Sequence, residues 1–346
     1  MAHRPVRDFL PRELIRAMAH TTRRYAGPSA LALSPDARTC AFVSDRGGAY
    51  AAWTVALAPG RTHPSRPSLA LAVEGGAVRA LCWPRSGDLV ASVDRGGTER
   101  WQLFVTRADE WGAVEPLASS EGDRVQHLLS WNAASPDGRT LAISSNAREP
   151  ADVDLVTIDV AGGRQRVLVA GPAWHVAGGW SPDGRSLLVM RVQDNTEQTL
   201  LAVDVSSGQA REITPHDGEM QNVPAGWLAD GRALAMSDRD REHLALVAID
   251  VRTGEREEID APSWDVELAA SSADGRVQVW SVNADGYSTL RWRRDGAAAR
   301  ARELGGVCED LVVSADGSRA AFVRQSATEP SQIWILDTAG GEAWPV

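Results

Sequence analysis

The sequence predicts an all-β fold, a seven-bladed β-propeller of four-stranded antiparallel blades. A short turn signature recurs seven times along the 346 residues, at spacings of 50, 51, 46, 47, 44 and 42 residues. The runs between turns are five to seven residues long and lack the 3.6-residue period of an amphipathic helix. Four short strands in each repeat of 40 to 50 residues are typical of a propeller blade.

Each copy of the signature favours a tight reversal between two strands. Proline presets φ at the first corner, aspartate caps the turn through its side chain, and glycine accepts a positive φ. The copies are Ser34-Pro35-Asp36-Ala37-Arg38, the degenerate Trp83-Pro84-Arg85-Ser86-Gly87-Asp88, Ser135-Pro136-Asp137-Gly138-Arg139, Ser181-Pro182-Asp183-Gly184-Arg185, Ala229-Asp230-Gly231-Arg232, Ser272-Ala273-Asp274-Gly275-Arg276 and Ser314-Ala315-Asp316-Gly317.

The fourth repeat shows how the strands of one blade are predicted. A short apolar run, residues 176–180, precedes the turn, and a β-rich run, residues 186–192, follows it. A third run covers residues 200–205, and a second tight turn at residues 206–209 leads to a more polar fourth strand at residues 210–214. The same order recurs in the next repeat, which predicts an antiparallel meander.

The domain division follows from these repeats. We predict that residues 1–26 form a basic, partly helical N-terminal arm and that residues 27–346 form the propeller. Blade one has its own four strands, so we expect the ring to close by apolar packing between the first and last blades, without strand exchange. The blades are predicted at about 27–74, 75–121, 122–170, 171–215, 216–260, 261–303 and 304–346.

Composition and charge exclude several classes of protein. A net charge of −10 repels a phosphate backbone, so we expect no nucleic-acid partner. No run approaches the roughly 20 apolar residues of a membrane span, and the N-terminus lacks the apolar core of a signal peptide, so we expect no membrane association and a cytoplasmic location. Cys40, Cys82 and Cys308 are predicted to be buried free thiols.

Three tryptophans occupy one position of the repeat. Trp83, Trp180 and Trp227 lie on the first strands of their blades, just before the turn. An aromatic ring of this size suits the space between neighbouring blades, so we predict packing rather than ligand stacking.

Four segments carry a family resemblance: LALSPDARTCAFVSDRGG, WSPDGRSLLVMRV, AMSDRDREHLALVAIDVRTGE and IWILDTAGGE. With the N-terminal arm, they resemble the seven-bladed propeller of prolyl oligopeptidase family serine peptidases, particularly the acylaminoacyl peptidase and dipeptidyl aminopeptidase branch, and more distantly TolB-like propellers. The resemblance implies that an α/β-hydrolase domain with a Ser, Asp and His triad follows the propeller, which would need roughly 200 further residues.

The sequence contains no recognisable catalytic motif. The stretches at residues 27–31 and 286–290 lack the final glycine of the GxSxG nucleophile elbow. There is no phosphate-binding loop, dinucleotide-binding motif or zinc-ligand spacing. We therefore expect neither a catalytic triad nor a cofactor or metal, and we interpret the Asp-Gly pairs as turn formers rather than calcium ligands.

A binding surface is predicted on one face of the propeller. The loops between second and third strands and the connections between blades emerge together on what we call the loop face; the SPDG turns lie on the opposite turn face. The resemblance implies that the loop face meets the hydrolase domain and the substrate cavity. Its candidate residues are Arg46, Arg95, Arg148, Trp174, His175, His216, Asp238, Arg239, Arg241, His243 and Arg324.

Three functions remain open at this point. The first is a non-catalytic propeller that binds a protein or peptide partner, such as an α/β-hydrolase domain, on the loop face. The second is the propeller half of a split or truncated serine peptidase that acts with a separate α/β-hydrolase. The third, a self-sufficient lactonase- or lyase-like propeller enzyme, requires inward-facing carboxylates or histidines; the first strands show instead Ala32, Leu33, Gly178, Gly179, Ala225, Gly226, Ala269 and Val312.

Overall fold

The computed structural model describes residues 30–57, 66–85, 88–107, 110–118 and 124–346. Within these ranges, 28 strands form seven sheets, and each sheet contains four antiparallel strands that follow one another in the chain. The predicted seven-bladed propeller is therefore confirmed. The predicted N-terminal arm lies outside the described residues. No helix in the described ranges is long and apolar enough to cross a membrane.

The strands of each blade run in chain order from the centre of the ring to its rim. Blades one to four comprise β1 (Leu31–Leu33), β2 (Thr39–Ser44), β3 (Ala51–Ala56) and β4 (Ser68–Leu71); β5 (Gly76–Arg85), β6 (Asp88–Arg95), β7 (Trp101–Arg107) and β8 (Glu115–Ala118); β9 (His127–Ala134), β10 (Thr140–Ser145), β11 (Asp154–Asp159) and β12 (Gln165–Val169); and β13 (Trp174–Trp180), β14 (Ser186–Val192), β15 (Gln198–Asp204) and β16 (Ala210–Glu212).

Blades five to seven repeat this arrangement. They comprise β17 (Asn222–Trp227), β18 (Ala233–Ser237), β19 (Ala245–Ile249) and β20 (Arg256–Asp260); β21 (Val266–Ser271), β22 (Val277–Ala284), β23 (Tyr287–Arg294) and β24 (Arg300–Glu303); and β25 (Val307–Val313), β26 (Arg319–Gln325), β27 (Gln332–Asp337) and β28 (Ala343–Pro345).

The turn between the first two strands is held by a serine and an aspartate. In blade four, Asp183 Oδ1 accepts hydrogen bonds from Ser181 Oγ at 2.6 Å and from the Arg185 N–H at 3.0 Å. Ser181 Oγ in turn accepts from the Ser186 N–H at 2.9 Å. The serine hydrogen bond is the main cause that lowers the pKa of Asp183. Blades one, three, six and seven repeat these contacts around Asp36, Asp137, Asp274 and Asp316.

The tryptophans of the first strands connect neighbouring blades, as predicted. Trp180 Nε1 donates to the Ala133 carbonyl of blade three at 2.8 Å, and Trp227 Nε1 donates to the Gly179 carbonyl of blade four at 3.0 Å. Both indoles are buried, as is Trp83. They therefore bind one blade to the next and are not available for ligand stacking.

In the part of the chain that the structure describes, blades seven and one each consist of four consecutive strands, so the ring closes between them without strand exchange. Leu31, Phe42, Val323 and Ile335 pack in one apolar cluster that spans this junction. The Ala30 N–H donates to Asp310 Oδ2 at 3.1 Å. This confirms the predicted mode of closure.

The three cysteines are free and buried, as predicted. Burial raises the pKa of both Cys40 and Cys82 to about 12. A thiol with so high a pKa carries almost no thiolate at neutral pH, so neither is suited to act as a nucleophile.

Candidate functional site

The loop face is a continuous surface because backbone contacts join its two kinds of loop. Val153, at the end of a second-to-third-strand loop, forms a parallel bridge with Trp174, and Glu197 does the same with Met220. In blade two, the Gly96 N–H donates to the Gly75 carbonyl at 3.0 Å. The loops are thereby fixed on the rigid blades that carry them.

Arg148 is held inside its own loop. Its Nε donates to Asp154 Oδ2 at 2.7 Å, and its Nη2 donates to Asp154 Oδ1 at 3.0 Å and to Asp152 Oδ2 at 2.7 Å. These hydrogen bonds, chiefly those with Asp154, raise the pKa of the Arg148 guanidinium. Arg148 therefore shapes the loop and has few donors left for a ligand.

Two further arginines each donate a hydrogen bond to a backbone carbonyl of an inter-blade connection. Arg241 Nη2 donates to the Pro262 carbonyl at 2.6 Å. Arg324 Nε donates to the Leu304 carbonyl at 2.6 Å, its Nη1 bonds Glu329, and the guanidinium lies 5.5 Å from the centre of the Trp334 ring. Both side chains thus stabilise the face itself.

The three candidate histidines lie in different environments. Strand β13 begins at Trp174, two residues before the predicted start, and places His175 within the blade with only 4% of the residue exposed. Its Nδ1 lies 3.1 Å from the Val153 carbonyl oxygen, and burial lowers its pKa. His216 Nδ1 contacts the Thr214 carbonyl at 2.8 Å. His243 stacks on Trp264 with 6.3 Å between ring centres.

The remaining candidates are partly committed to local contacts. Arg46 lies over the Trp53 ring at 5.3 Å. Asp238 Oδ1 accepts from the Gln221 N–H at 2.9 Å.

Two of the candidate arginines are less firmly held. Arg239 makes a loose 3.7 Å ion pair with Asp240, and Arg95 is exposed at the end of β6. Exposed ion pairs of this kind contribute little to stability.

Exposed aromatic side chains distinguish one part of the loop face. Trp174, Trp264 and Tyr287 are 49%, 45% and 61% exposed, and all three lie at the loop-face end of their blades. Neither Trp264 nor Tyr287 is among the residues predicted from the sequence to bind a partner. Trp264 lies in a polar segment between two strands and Tyr287 at the first position of β23, directly after a polar turn. These positions are the signal that the sequence offers, because an aromatic residue there has no blade interior to pack against.

Charged residues also lie on the innermost strands near the loop face. Register shifts in β5, β21 and β25 leave Arg79, Glu267 and Glu309 outside the regular strand pairing. Glu267 Oε1 accepts from Asn283 Nδ2 at 3.0 Å, and Glu309 Oε2 accepts from Ser331 Oγ at 3.2 Å. Towards the loop face, the first strands therefore carry charged residues in addition to the small and apolar residues noted in the sequence.

In blades three to six, the halves of the first strands that lie nearer the turn face are closely packed against one another. Gly179 and Gly226 have φ values of +119° and +117°. A Cβ at Gly179 would lie 2.4 Å from Asn132 Nδ2, and a Cβ at Gly226 would lie 2.2 Å from Ser271 Oγ. Neighbouring inner strands are in contact here, so the polar groups that could meet a ligand lie towards the loop face.

A metal centre is not formed by the part of the chain that the structure describes. No three His, Cys, Asp or Glu side chains there are grouped closely enough to hold an ion. The contacts around Asp183 and its equivalents are those of turn formation.

Comparison with known sequences finds peptidases. No family model matches this chain. A segment of 156 residues is 32% identical to the uncharacterized peptidase YuxL of Bacillus subtilis, and it covers 43% of this chain and 21% of that protein. Over 317 residues the chain is 24% identical to dipeptidyl aminopeptidase BIII of Pseudoxanthomonas mexicana, with 90% of this chain and 43% of that enzyme covered.

Solved structures share the propeller fold at low sequence identity. A prolyl endopeptidase structure superposes with a TM-score of 0.70 and 14% identity over 95% of this chain and 50% of its own. TolB from Acinetobacter baumannii gives a TM-score of 0.55 with 19% identity and coverages of 75% and 64%. The oligogalacturonate lyase of Vibrio parahaemolyticus gives 0.64 with 13% identity, and the match covers 92% of this chain and 90% of the lyase.

These comparisons agree with the resemblance inferred from the sequence. The chain is a seven-bladed propeller similar to the propeller domains of prolyl endopeptidases, and it is also TolB-like. It spans less than half the length of the two peptidases matched by sequence. What it resembles is thus the propeller part of those peptidases.

Proposed function

We propose that this chain is a non-catalytic propeller module that binds a protein or peptide partner on its loop face, and that the partner is an α/β-hydrolase of the prolyl oligopeptidase type. The main support is the match to dipeptidyl aminopeptidase BIII, which covers 90% of this chain but 43% of that enzyme. The family resemblance assigns the remaining part of such a peptidase to the hydrolase domain.

The geometry of the loop face suits this role. Arg148, Arg241 and Arg324 fix the loops by hydrogen bonds, so little conformational freedom would be lost on binding. Exposed aromatic side chains, which often dominate the energy of protein interfaces, lie on the same face. A rigid, partly aromatic surface favours a protein partner over a deeply enclosed small molecule.

A pull-down from a lysate of the source cells tests the proposal, with a serine-reactive fluorophosphonate to label whatever is retained. We expect stoichiometric recovery of a labelled α/β-hydrolase. Trp174→Ala on the loop face should reduce recovery, whereas Arg252→Ala on the turn face should not. Recovery of no labelled hydrolase, or equal loss with the two variants, would contradict the proposal. A separately encoded hydrolase that gains peptidase activity only with this chain would identify the split-peptidase form of the same function.

Glu267 and Glu309 favour a second candidate, a self-sufficient lyase-like propeller enzyme. Both lie on innermost strands towards the loop face, and the lyase match covers 90% of that enzyme. Carboxylates so placed could serve as general bases in an elimination reaction. Formation of unsaturated uronate from oligogalacturonate by the purified chain, and its loss in Glu267→Gln or Glu309→Gln, would support this candidate; no turnover would exclude it for that substrate.

A further inference from the structure

Three segments of the loop face form one surface, which we call the aromatic–acidic patch: residues 238–243, 261–267 and 283–287. Arg241 Nη2 bonds the Pro262 carbonyl, and the Leu244 N–H donates to Asp265 Oδ1 at 2.8 Å. The Asn283 N–H donates to the Asp265 carbonyl at 3.4 Å. These contacts place Trp264 and Tyr287 in adjoining segments, so the two exposed rings belong to a single surface.

The patch has an excess of negative charge. It contains six carboxylates, Asp238, Asp240, Glu242, Asp265, Glu267 and Asp285, against two arginines, Arg239 and Arg241. Arg241 is committed to the Pro262 carbonyl, whereas about half of the Asp265 side chain and most of the Asp240 side chain are exposed. A cationic group would therefore meet a favourable potential here.

Four other indole rings in the described residues lie against an arginine of the chain. The guanidinium carbons of Arg46, Arg300, Arg319 and Arg324 lie 5.3, 5.1, 5.9 and 5.5 Å from the ring centres of Trp53, Trp292, Trp344 and Trp334. Within the described residues, Trp264 has only His243 stacked on it and no guanidinium. The 45% exposed Trp264 thus presents to solvent a ring surface of the kind that a guanidinium covers in these four tryptophans.

We propose that the aromatic–acidic patch binds arginine or lysine side chains of a protein partner. A cation placed over the Trp264 or Tyr287 ring gains cation–π attraction, and the neighbouring Asp265 and Asp285 carboxylates neutralise its charge. This proposal rests on the proposed function, because it specifies the chemistry of the partner surface that contacts blades five and six. It adds that this surface is basic.

Fluorescence anisotropy with labelled nona-arginine tests the site without any hydrolase. We expect the affinity to fall by about five- to twenty-fold in the double variant Trp264→Ala, Tyr287→Ala, because each exposed cation–π contact accounts for roughly two- to five-fold. Trp264→Phe with Tyr287→Phe should keep most of the affinity, since the rings remain. Val167→Ala is the matched control, because this 48% exposed apolar side chain lies on the outer strand β12 of blade three, outside the patch, and it should change affinity less than two-fold.

Three results would overturn the proposal. They are the absence of binding to the wild-type chain, equal affinity in the wild type and the alanine double variant, and equal binding of nona-citrulline, which lacks the charge of arginine. Equal affinity together with strong salt dependence would mean that the net negative charge attracts cations without a site. Because this assay contains no hydrolase, its failure leaves the pull-down result unaffected, and failure of the pull-down leaves the peptide result interpretable.

Discussion

At the residue scale, His127 combines deep burial with the absence of a charge partner. Only 2% of this residue is exposed at the start of β9, and its Nδ1 has no hydrogen-bond partner in the described structure. Burial lowers its pKa to about 4, because the charged form loses its hydration. The native state therefore holds His127 neutral at pH values where an unfolded histidine begins to take up a proton.

We expect this histidine to make the protein less stable in mild acid. Between about pH 6.5 and the native pKa of about 4, the unfolded state binds more protons than the native state, so the free energy of unfolding falls as the pH falls. The full loss is on the order of 3 kcal/mol. Urea unfolding at pH 7.5, 5.5 and 4.5 measures it. His127→Phe should remove most of this slope, and an unchanged slope would refute the assignment.

Gly179 lies at a position where a Cβ is disfavoured for two reasons, its φ of +119° and the nearby Asn132 side chain. We expect Gly179→Ala to lower the free energy of unfolding by at least about 2 kcal/mol, from backbone strain together with the clash. A double-mutant cycle with Asn132→Ala separates the two. Asn132→Ala should relieve the clash but not the backbone strain. If the losses of unfolding free energy in the two single variants simply add in the double variant, the Asn132 side chain does not contribute to the cost of Gly179→Ala.

At the element scale, the serine–aspartate turn acts as a unit that fixes the first two strands of a blade. Ser181 Oγ bonds both the Asp183 carboxylate and the Ser186 N–H, so its removal affects two contacts. We expect Ser181→Ala to cost roughly 1–2 kcal/mol of unfolding free energy in urea and to raise the pKa of Asp183, measured by NMR titration. Ser206→Ala, in an exposed turn of the same blade, is the control and should cost less.

The same turns should contribute to acid unfolding. Hydrogen bonds lower the native pKa of Asp36, Asp137 and Asp183 below the ordinary value of 3.8. Their contribution is therefore fully present above that pH and is lost as the pH falls through the native pKa values. Urea unfolding at pH 4.5 and 2.5 should show a smaller loss for Asp183→Asn than for the wild type. An equal loss would mean that the folded and unfolded states titrate alike at this residue.

Turn chemistry and strand period were enough to predict the ring, because proline, aspartate and glycine act within a few residues of one another. The site is different, because its side chains meet partners that sequence spacing does not reveal. Arg324, for example, donates to the Leu304 carbonyl, twenty residues away. Glu267 and Glu309 were missed because local register shifts, invisible in an alternating pattern, set their position.

At the scale of the whole molecule, the ring is closed only by non-covalent contacts between its first and last blades. Arg319 Nη1 of blade seven donates to the Ala37 and Leu57 carbonyls of blade one at 2.8 and 3.2 Å, and the guanidinium lies 5.9 Å from the centre of the Trp344 ring. Each other junction is also crossed by the chain itself. Loss of a contact here should therefore open the ring locally before the remaining blades unfold.

We expect Arg319→Ala to increase hydrogen exchange first in blades one and seven, at residues 30–57 and 307–345, because two blade-one carbonyls lose their donor. Exchange mass spectrometry should find blades three to five, residues 127–260, protected as in the wild type. Arg166→Ala is a matched control, since Arg166 makes two similar bonds, to the Val205 and Ser206 carbonyls, at a junction that the chain crosses. Its effect should be small and confined to blades three and four. If Arg319→Ala raised exchange equally in all blades, the ring would open as one cooperative unit, and the junction between blades seven and one would not be its weakest point.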